Sequence, residues 1–438
     1  MQRTEIDGIA TFWAEGPKPF AGRITFHTGT ADETLPQRGL TELLHSLVVD
    51  SLTPPDAAPR VHWGSAVDLT DTAFWAEGEP DRVAALLTRV CRTLADPPAD
   101  ALPRVARRLQ AALDCAAPAP AAEHHHIRHG YRGYGRTAFD RPHLAQHTPD
   151  DIRTWATRHF VRGNAALSLT GPPPPDLHLP LPDGPRHTRP PQRPAPHVGG
   201  HWYEHSHEAG HTLALITATT DEHGATAAAT TLDTTLRTLA QHGPTPQEID
   251  TYRTTGLEDL DNPACTRALV DFTADDHTAG HDHLDIPSLR AFLHTLTPDT
   301  VRTTLADYPR TALLGMPRHT APATDSPLTP LPPLPAGTLT TADEYRPRLR
   351  SPLPRRTRLY IGDEGITQWW PDAAVTIPWY GVAGLSTDET GTATLYGENG
   401  ACITYHPDWY RSGDDIHDRI RWHVPPRLRF RERGGEPI

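Results

Sequence analysis

Histidine is the residue type in this sequence that offers the most chemistry. The chain carries 27 histidines among 438 residues, and an imidazole ring can bind a metal ion or transfer a proton near neutral pH. A zinc site, however, needs three protein ligands arranged around one point. We interpret the histidine clusters as compositional drift on solvated loops. The clusters are His124–His126, His205 with His207 and His211, and His277 with His281 and His283.

A more specific pattern occupies residues 27–47. An extended stretch leads into a helix predicted over 39–52, because apolar residues recur there with helical spacing. On that helix Glu42 and His45 stand one turn apart, and Ser46 follows His45. Carboxylate and imidazole groups bind zinc, but serine is not a usual zinc ligand. The helix therefore offers two donors of the three that a zinc site needs.

This stretch resembles the segment that leads into the active-site helix of insulinase-like (pitrilysin) metallopeptidases. There, a D-E-x-x-x-x-x-G-L turn precedes a helix with H-x-x-E-H, in which two histidines bind zinc and the glutamate activates water. The resemblance implies a third ligand, a glutamate on a later helix. The motif positions here are Glu42, His45 and Ser46, and the later predicted helix, 101–114, contains no glutamate. We predict a degenerate motif, with no catalytic residue and no metal or other cofactor in this chain.

An internal repeat extends the resemblance over about residues 20–320. Residues 148–154 match residues 297–303, and each copy begins with an N-capping threonine and a proline at the first helical position. A short apolar strand is predicted after each copy, so duplication explains the pattern. The resemblance also places Tyr203 at a peptide-binding tyrosine position, but Pro196 stands where the family has arginine. The family has a strand and a helix before these positions, whereas here the proline-rich stretch leads almost directly to residues 199–204, so the second half is predicted to be shortened.

Proline-rich stretches divide the chain. Proline removes a backbone donor and favours extended conformation, so these stretches are predicted to be linkers. The predicted fold class is α+β: two related halves of antiparallel sheet with helices packed on it, then a small β-rich module with a closing helix. The predicted parts are 1–171 (metallopeptidase-like half with a lost zinc site), 172–196 (linker), 197–320 (shortened second half), 321–354 (linker) and 355–438 (C-terminal module).

The C-terminal module has a different pattern from the two halves. Short apolar runs separated by Gly, Asp and Asn predict strands, and residues 408–423 predict a helix that closes the module. Several strands followed by one helix resemble a pleckstrin-homology-like module. The predicted strands are 358–361, 365–369, 374–377, 392–396 and 402–405.

Composition and charge bear on partners and compartment. The formal net charge is −13, which disfavours nucleic acid as the main partner because phosphate binding needs excess cations. Four cysteines without short spacing argue against a zinc ribbon or a disulfide framework. No secretory signal and no apolar run of about 18 residues is present, so we expect a cytoplasmic protein without a membrane partner.

These observations favour a non-catalytic subunit of a heterodimeric insulinase-like zinc metallopeptidase. In this hypothesis the chain helps to bind and enclose a peptide, and a homologous partner subunit supplies the zinc. One alternative is a stand-alone peptide-binding or scaffold protein without proteolysis. A second is an active metallopeptidase with an atypical site. A residual hydrolase that uses His45 with Glu42 has less support, because no G-x-S-x-G nucleophile motif is present.

Overall fold

The computed structural model of this chain has the predicted α+β architecture, with mostly antiparallel sheets and helices packed on them. In the part of the chain that the structure describes, no helix is both long and apolar enough to cross a lipid bilayer. The described residues are 1–52, 61–114, 125–127, 129–138, 144–189, 225–281, 285–306, 312–314, 339, 341–371 and 373–431.

The first segment is built on a six-stranded sheet. Its strands are β1 (Gln2–Ile6), β2 (Ile9–Trp13), β3 (Phe20–Phe26), β4 (His62–Val67), β5 (Thr72–Gly78) and β6 (Ala165–Leu169). They lie in the order β1-β2-β6-β3-β5-β4, and only β2 and β6 run parallel. Strands β3 to β6 overlap the strands that the sequence predicts at 23–27, 60–63, 72–75 and 165–171. The β1–β2 hairpin was not predicted, because β1 is almost entirely exposed and has no hydrophobic alternation.

Four helices accompany this sheet, and their apolar faces build the main core. They are α1 (Leu40–Leu52), α2 (Pro80–Ala95), α3 (Leu102–Asp114) and α4 (Pro149–His159). The apolar residues of α1 recur with a period of three to four and are completely or almost completely buried. They pack with Ile24 and Phe26 of β3 and with Phe74 of β5. The predicted helix over 39–52 is therefore confirmed, and tertiary packing holds it against the sheet.

The second segment contributes a helix to the same sheet. Its helices are α5 (Ala225–His242), α6 (Pro246–Asp261), α7 (Pro263–Ala279), α8 (Ile286–Thr295) and α9 (Pro298–Leu305). Helix α7 packs on β6, β3 and β2, where Val270 and Ala274 meet Phe12 and Ala166 in a small separate core. The strand predicted at 212–217 lies outside the described residues.

The two copies of the internal repeat begin their helices in the same way. The Thr148 hydroxyl accepts the backbone N–H of Asp151 at 3.2 Å at the start of α4. The Thr297 hydroxyl accepts the backbone N–H of Thr300 at 3.1 Å at the start of α9. Both predicted caps are confirmed. The strand predicted after the second copy is not seen in its described residues, 312–314, which have no regular structure.

The first proline-rich stretch packs on the first segment. Residues 172–189, which we call the strap, contain no helix or strand, as the prolines predict. Leu177, Leu179 and Leu181 alternate with exposed residues and are buried in the main core. An extended chain that lies on a surface shows this alternation, because its successive side chains point to opposite sides. This part of the predicted linker is thus a layer of the first segment.

The C-terminal module consists of two sheets and a helix. The first sheet is an antiparallel meander of β7 (Ala342–Tyr345), β8 (Arg358–Gly362), β9 (Gly365–Trp370) and β10 (Ala373–Pro378). The second contains β11 (Val382–Thr387), β12 (Ala393–Gly397) and β13 (Cys402–Tyr405), with β14 (Arg429–Arg431) parallel to β11 at its edge. Both sheets and α10 (Ile416–His423) share one core.

Several predictions for this module need correction. Helix α10 begins at Ile416 rather than at residue 408, because His406 to Tyr410 form a short 3₁₀ turn in which Tyr410 is completely buried. Strands β7, β11 and β14 were not predicted. The module docks on the first segment through Leu35, which packs with Ala383 and Tyr396.

Candidate functional site

Helix α1, which carries the predicted motif positions, starts at a buried ion pair. The Glu33 carboxylate accepts the backbone N–H of Gly39 at 2.9 Å and of Thr41 at 2.7 Å. Arg38 Nη1 donates to Glu33 Oε2 at 3.0 Å. Both side chains are at most 2% exposed, and a negative charge at a helix N-terminus is favourable. Gly39 has a φ of 94°, which favours glycine. The residues of the D-E-x-x-x-x-x-G-L pattern therefore cap the N-terminus of α1.

The three motif positions lie within one turn and a half of α1 and are all partly buried. His45 Nε2 is 2.8 Å from the Ser65 hydroxyl on β4. The imidazole also stacks on Phe74, with ring centroids 5.4 Å apart. Burial lowers the pKa of His45 to about 4, so the ring is neutral at pH 7. Its Nε2 therefore faces a serine hydroxyl on the neighbouring strand.

The donor set at this position does not fit a zinc ion. Ser46 is not a usual zinc ligand, and His45 Nε2 already faces Ser65 Oγ. Helix α3, where the resemblance implies a third ligand, packs its apolar residues in the same core as α1. Its charged contacts with α1 come from Arg104 and Arg108, which pair with Asp50. Within the described ranges, no three His, Cys, Asp or Glu side chains converge to hold a metal ion.

Strand β4 presents an edge beside the motif. It is the terminal strand of the six-stranded sheet, and no other described strand pairs with its outer side. Ser65 of this strand contacts His45 of α1, so the edge and the motif positions adjoin. An edge strand offers backbone N–H and C=O groups to an added extended chain. This arrangement can hold a peptide backbone without any metal chemistry.

A second polar cluster centres on Asp32 in the turn before α1. Arg189 of the strap donates to Asp32 from Nε at 2.6 Å and from Nη2 at 2.7 Å. His187 Nε2 is 2.8 Å from the same carboxylate. Burial opposes ionisation, but the His187 hydrogen bond and the Arg189 charge outweigh it and hold the pKa of Asp32 far below its usual value. The cluster fastens the strap to the turn.

Two further histidines complete this cluster. Arg189 Nη1 lies 2.9 Å from His27 Nε2, and His159 of α4 packs edge-on against His187 with centroids 4.9 Å apart. The sequence pattern over 27–47 contains His27 and Asp32 but predicts no contact for either. Arg189 stood in a predicted linker, and nothing in its neighbourhood signalled a buried ion pair.

Two further predictions concern the peptide-binding position Tyr203 and the histidine clusters. Tyr203 and Pro196 lie outside the described residues, so the peptide-binding role of Tyr203 stays a prediction. The interpretation of the histidine clusters as solvated loops is wrong for three members. His125 is 2% exposed, and the His126 ring packs against Tyr131, with centroids 4.5 Å apart. The His277 ring packs against Phe12, with centroids 5.3 Å apart, because α7 lies on the sheet.

Comparison with known proteins gives likeness of structure but not of sequence. No protein-family model matches the chain, and no curated protein matches it. A solved structure titled as the peptidase M16 inactive domain from Pseudomonas fluorescens is 13% identical, with a TM-score of 0.53, and the match covers 70% of this chain and 94% of that one. A protease from Helicobacter pylori is 9% identical, with a TM-score of 0.53 and coverage of 70% and 96%. The chain therefore has the α+β fold of peptidase M16 structures, in agreement with the predicted resemblance.

Proposed function

We propose that this chain is the non-catalytic subunit of a heterodimeric insulinase-like zinc metallopeptidase. It would bind and help to enclose a peptide that a zinc-bearing homologous subunit cleaves. The observation that carries the proposal is the contrast within α1. The Glu33–Arg38 ion pair at the start of α1 and the buried apolar face of the helix are both present. The motif positions, in contrast, hold Glu42, His45 and Ser46 in place of H-x-x-E-H.

The likeness to a structure titled as an inactive peptidase M16 domain supports this proposal. The edge of β4 supports a role in holding peptide, because an extended substrate can add to that edge through its backbone. His45 and Ser65 would then line the peptide and contribute polar contacts rather than chemistry. Cleavage would depend on the partner subunit, which would contribute an H-x-x-E-H helix and its zinc.

The test is to purify the chain alone and together with an H-x-x-E-H homologue. We expect less than stoichiometric zinc by elemental analysis of this chain, no cleavage of a quenched fluorescent peptide library, and a stable complex with the homologue by size-exclusion chromatography. The complex should cleave peptides that the chain alone leaves intact. One tightly held zinc per chain, or cleavage by the chain alone that a chelator abolishes, would favour the atypical metallopeptidase instead.

A stand-alone peptide-binding or scaffold role is the second candidate, and the C-terminal module favours it. The module combines a four-stranded meander, a second sheet and a helix that shares their core, which supports the pleckstrin-homology-like assignment. Such a module could recruit a partner that is unrelated to peptidases. A peptide that is captured by the chain while the H-x-x-E-H homologue fails to bind would favour this candidate.

A further inference from the structure

A cavity of about 320 Å³ on the C-terminal module is lined by helix α10 and by strands β11 and β14. Helix α10 contributes His417 and Arg421, and β14 contributes Arg429–Arg431. Strand β11 supplies Leu385 and Thr387. Pockets for small molecules usually have volumes of about 300–1,000 Å³, so the cavity has the size of a site for a small ligand.

The walls of this cavity are basic. Arg421, Arg429 and Arg431 are three of its seven lining residues, and none of the lining residues that the structure describes is a carboxylate. Asp418 follows His417 on α10, but it is exposed and does not line the cavity. This concentration of cations runs against the composition of the chain, which has 54 acidic residues and 41 lysines and arginines.

The three guanidinium groups keep their positive charge. Arg429 is anchored by carbonyl groups, because its Nε donates to the Val424 oxygen at 2.9 Å and its Nη2 donates to the Arg421 oxygen. Carbonyl groups hold the side chain in place without neutralising it. Arg421 and Arg431 are exposed, and neither forms an ion pair with another residue of the described ranges. The cavity therefore carries three positive charges without a counter-charge on its walls.

His417 shows how close these charges lie. Burial lowers the pKa of His417, and the charges of Arg421 and Arg429 lower it further against the opposing charge of Asp418. The imidazole is therefore neutral at pH 7, and its Nδ1 lies 3.2 Å from the Tyr405 hydroxyl. Arginines gathered around a neutral ring repel one another, and an anion bound among them would relieve that repulsion.

The charge of the cavity indicates the class of ligand. A guanidinium group donates two parallel hydrogen bonds to the oxygens of a phosphate or carboxylate group. A phosphate monoester carries about −1.5 to −2 charges at pH 7, more than a single carboxylate, and so matches several arginines better. Phe430 and Leu385 offer apolar surface beside the arginines for the organic part of a ligand.

We propose that this cavity binds a small soluble organic phosphate, with Arg421, Arg429 and Arg431 around the phosphate group. The proposal goes beyond the subunit function proposed above and does not depend on it, because the cavity lies within the C-terminal module.

The test is isothermal titration calorimetry of the full chain with glucose 6-phosphate as the probe and glucose as the matched ligand without phosphate. We expect the probe to bind, glucose not to bind, and inorganic phosphate to compete with the probe. Equal binding of the two sugars, or no binding of glucose 6-phosphate, would overturn the proposal. Binding to phosphatidylcholine vesicles only when they contain phosphatidic acid, with no soluble phosphate bound, would overturn a soluble ligand.

Variants locate the site. We expect R421Q/R431Q to weaken probe binding by about tenfold or more, because charge-assisted hydrogen bonds are lost. The control R355Q/R356Q removes two exposed arginines of the same module that line no part of this cavity, and it should bind the probe like the unmodified chain. Equal weakening by both variants would show general attraction of anions and would overturn the site.

Thermal unfolding without ligand checks that the variants fold. Arg421 and Arg431 are exposed, and Arg429 bonds to the backbone oxygen of Arg421 rather than to its side chain, so R421Q/R431Q should unfold at the same temperature as the unmodified chain. If the double variant is unstable, R421Q alone replaces it in the same titration. Unchanged probe binding by a folded R421Q/R431Q or R421Q would overturn the proposal.

Discussion

At the scale of single residues, the polar groups around the start of α1 carry more of the structure than the motif positions do. Glu33 is completely buried and forms hydrogen bonds with the backbone of residues 39 and 41 and with Arg38. Asp32, next to it, holds the strap through Arg189. Two adjacent carboxylates thus fix two different elements, and neither is free for metal binding or proton transfer.

The first prediction concerns Glu33. The E33Q variant should lower the free energy of unfolding by about 3–5 kcal/mol, because it leaves the buried Arg38 guanidinium without a counter-charge. The double variant E33Q/R38M should be less destabilised than E33Q alone, since it removes the unpaired charge. Urea unfolding followed by circular dichroism measures both. A loss below about 1 kcal/mol for E33Q would be that of a surface ion pair and would contradict this account.

The second prediction concerns the pH dependence of stability. Burial, together with the neighbouring His187, lowers the pKa of His159 to about 4 in the folded protein, against about 6.5 in an unfolded chain. The unfolded state therefore binds the extra proton first as pH falls. His159 should reduce the unfolding free energy by up to about 1.4 kcal/mol per pH unit between pH 6.5 and 4, and contribute no slope above pH 6.5.

The comparison of the unmodified chain with H159Q isolates this effect. Unfolding free energies measured between pH 7.5 and pH 4.5 should fall less steeply for H159Q. Other buried histidines, His45 among them, keep their own contribution in both proteins. An identical slope in the two proteins would show that His159 is not held in its neutral form.

At the scale of elements, α1 combines a buried apolar face with motif positions that offer only two zinc donors. The helix could be predicted from its apolar period and from the glycine that precedes it. Its functional surroundings could not, because Ser65 of β4 and Phe74 of β5 lie 20 and more residues away in sequence and reach His45 only through sheet pairing. The absence of a glutamate on α3 was visible in the sequence. The presence of Arg104 and Arg108 against Asp50 required the packing of α3 on α1.

The third prediction restores the motif. The triple variant E42H/H45E/S46H recreates H-x-x-E-H on α1, yet we expect weak zinc binding that dialysis removes and no peptidase activity. The reason is that two histidines supply two ligands, whereas catalytic zinc sites use three. Elemental analysis before and after dialysis measures the retained metal. Stoichiometric zinc that survives dialysis would reveal a third donor that the packing of α3 does not provide.

The fourth prediction concerns the strap. L179A should destabilise the protein by about 2–5 kcal/mol, because it leaves a cavity in the main core where Leu179 is completely buried. The control L349A removes a leucine that is 73% exposed and should change stability by less than about 0.5 kcal/mol. Thermal and urea unfolding compare the two. Equal stability of both variants would mean that the strap is a free linker.

At the scale of the whole molecule, α7 joins the second segment to the sheet of the first. Arg23 of β3 donates to Asp275 of α7 at 2.7 Å, and Ser168 of β6 donates to Asp271. Burial first, then the charge of Asp275, raises the pKa of Asp71 to about 6. Three carboxylates, Asp71, Asp271 and Asp275, therefore lie around Arg23 at the junction, and its single positive charge offsets part of their mutual repulsion.

The fifth prediction tests this junction. R23M should lower the unfolding free energy at pH 7 by about 1–3 kcal/mol, between the values for exposed and buried pairs, because it leaves the carboxylates of Asp71, Asp271 and Asp275 facing one another. Part of that loss should return at pH 5, where protonation relieves the repulsion. The control R153M removes an exposed pair within α4 and should change little. An R23M deficit that is the same at pH 7 and pH 5 would contradict the electrostatic account.

The sequence by itself determined the features that depend on neighbouring residues. Helical periods, the threonine caps at 148 and 297, the glycine before α1 and the residue types at positions 42, 45 and 46 are all local patterns. Local backbone preferences follow from such patterns. Tertiary structure alone decided what those elements touch. Residues far apart in the chain meet in the contact between His45 and Ser65, in the burial of the strap leucines and in the packing of α7 on the sheet. Such contacts arise from the burial of apolar surface and the pairing of charges across the folded chain, and no local pattern encodes them.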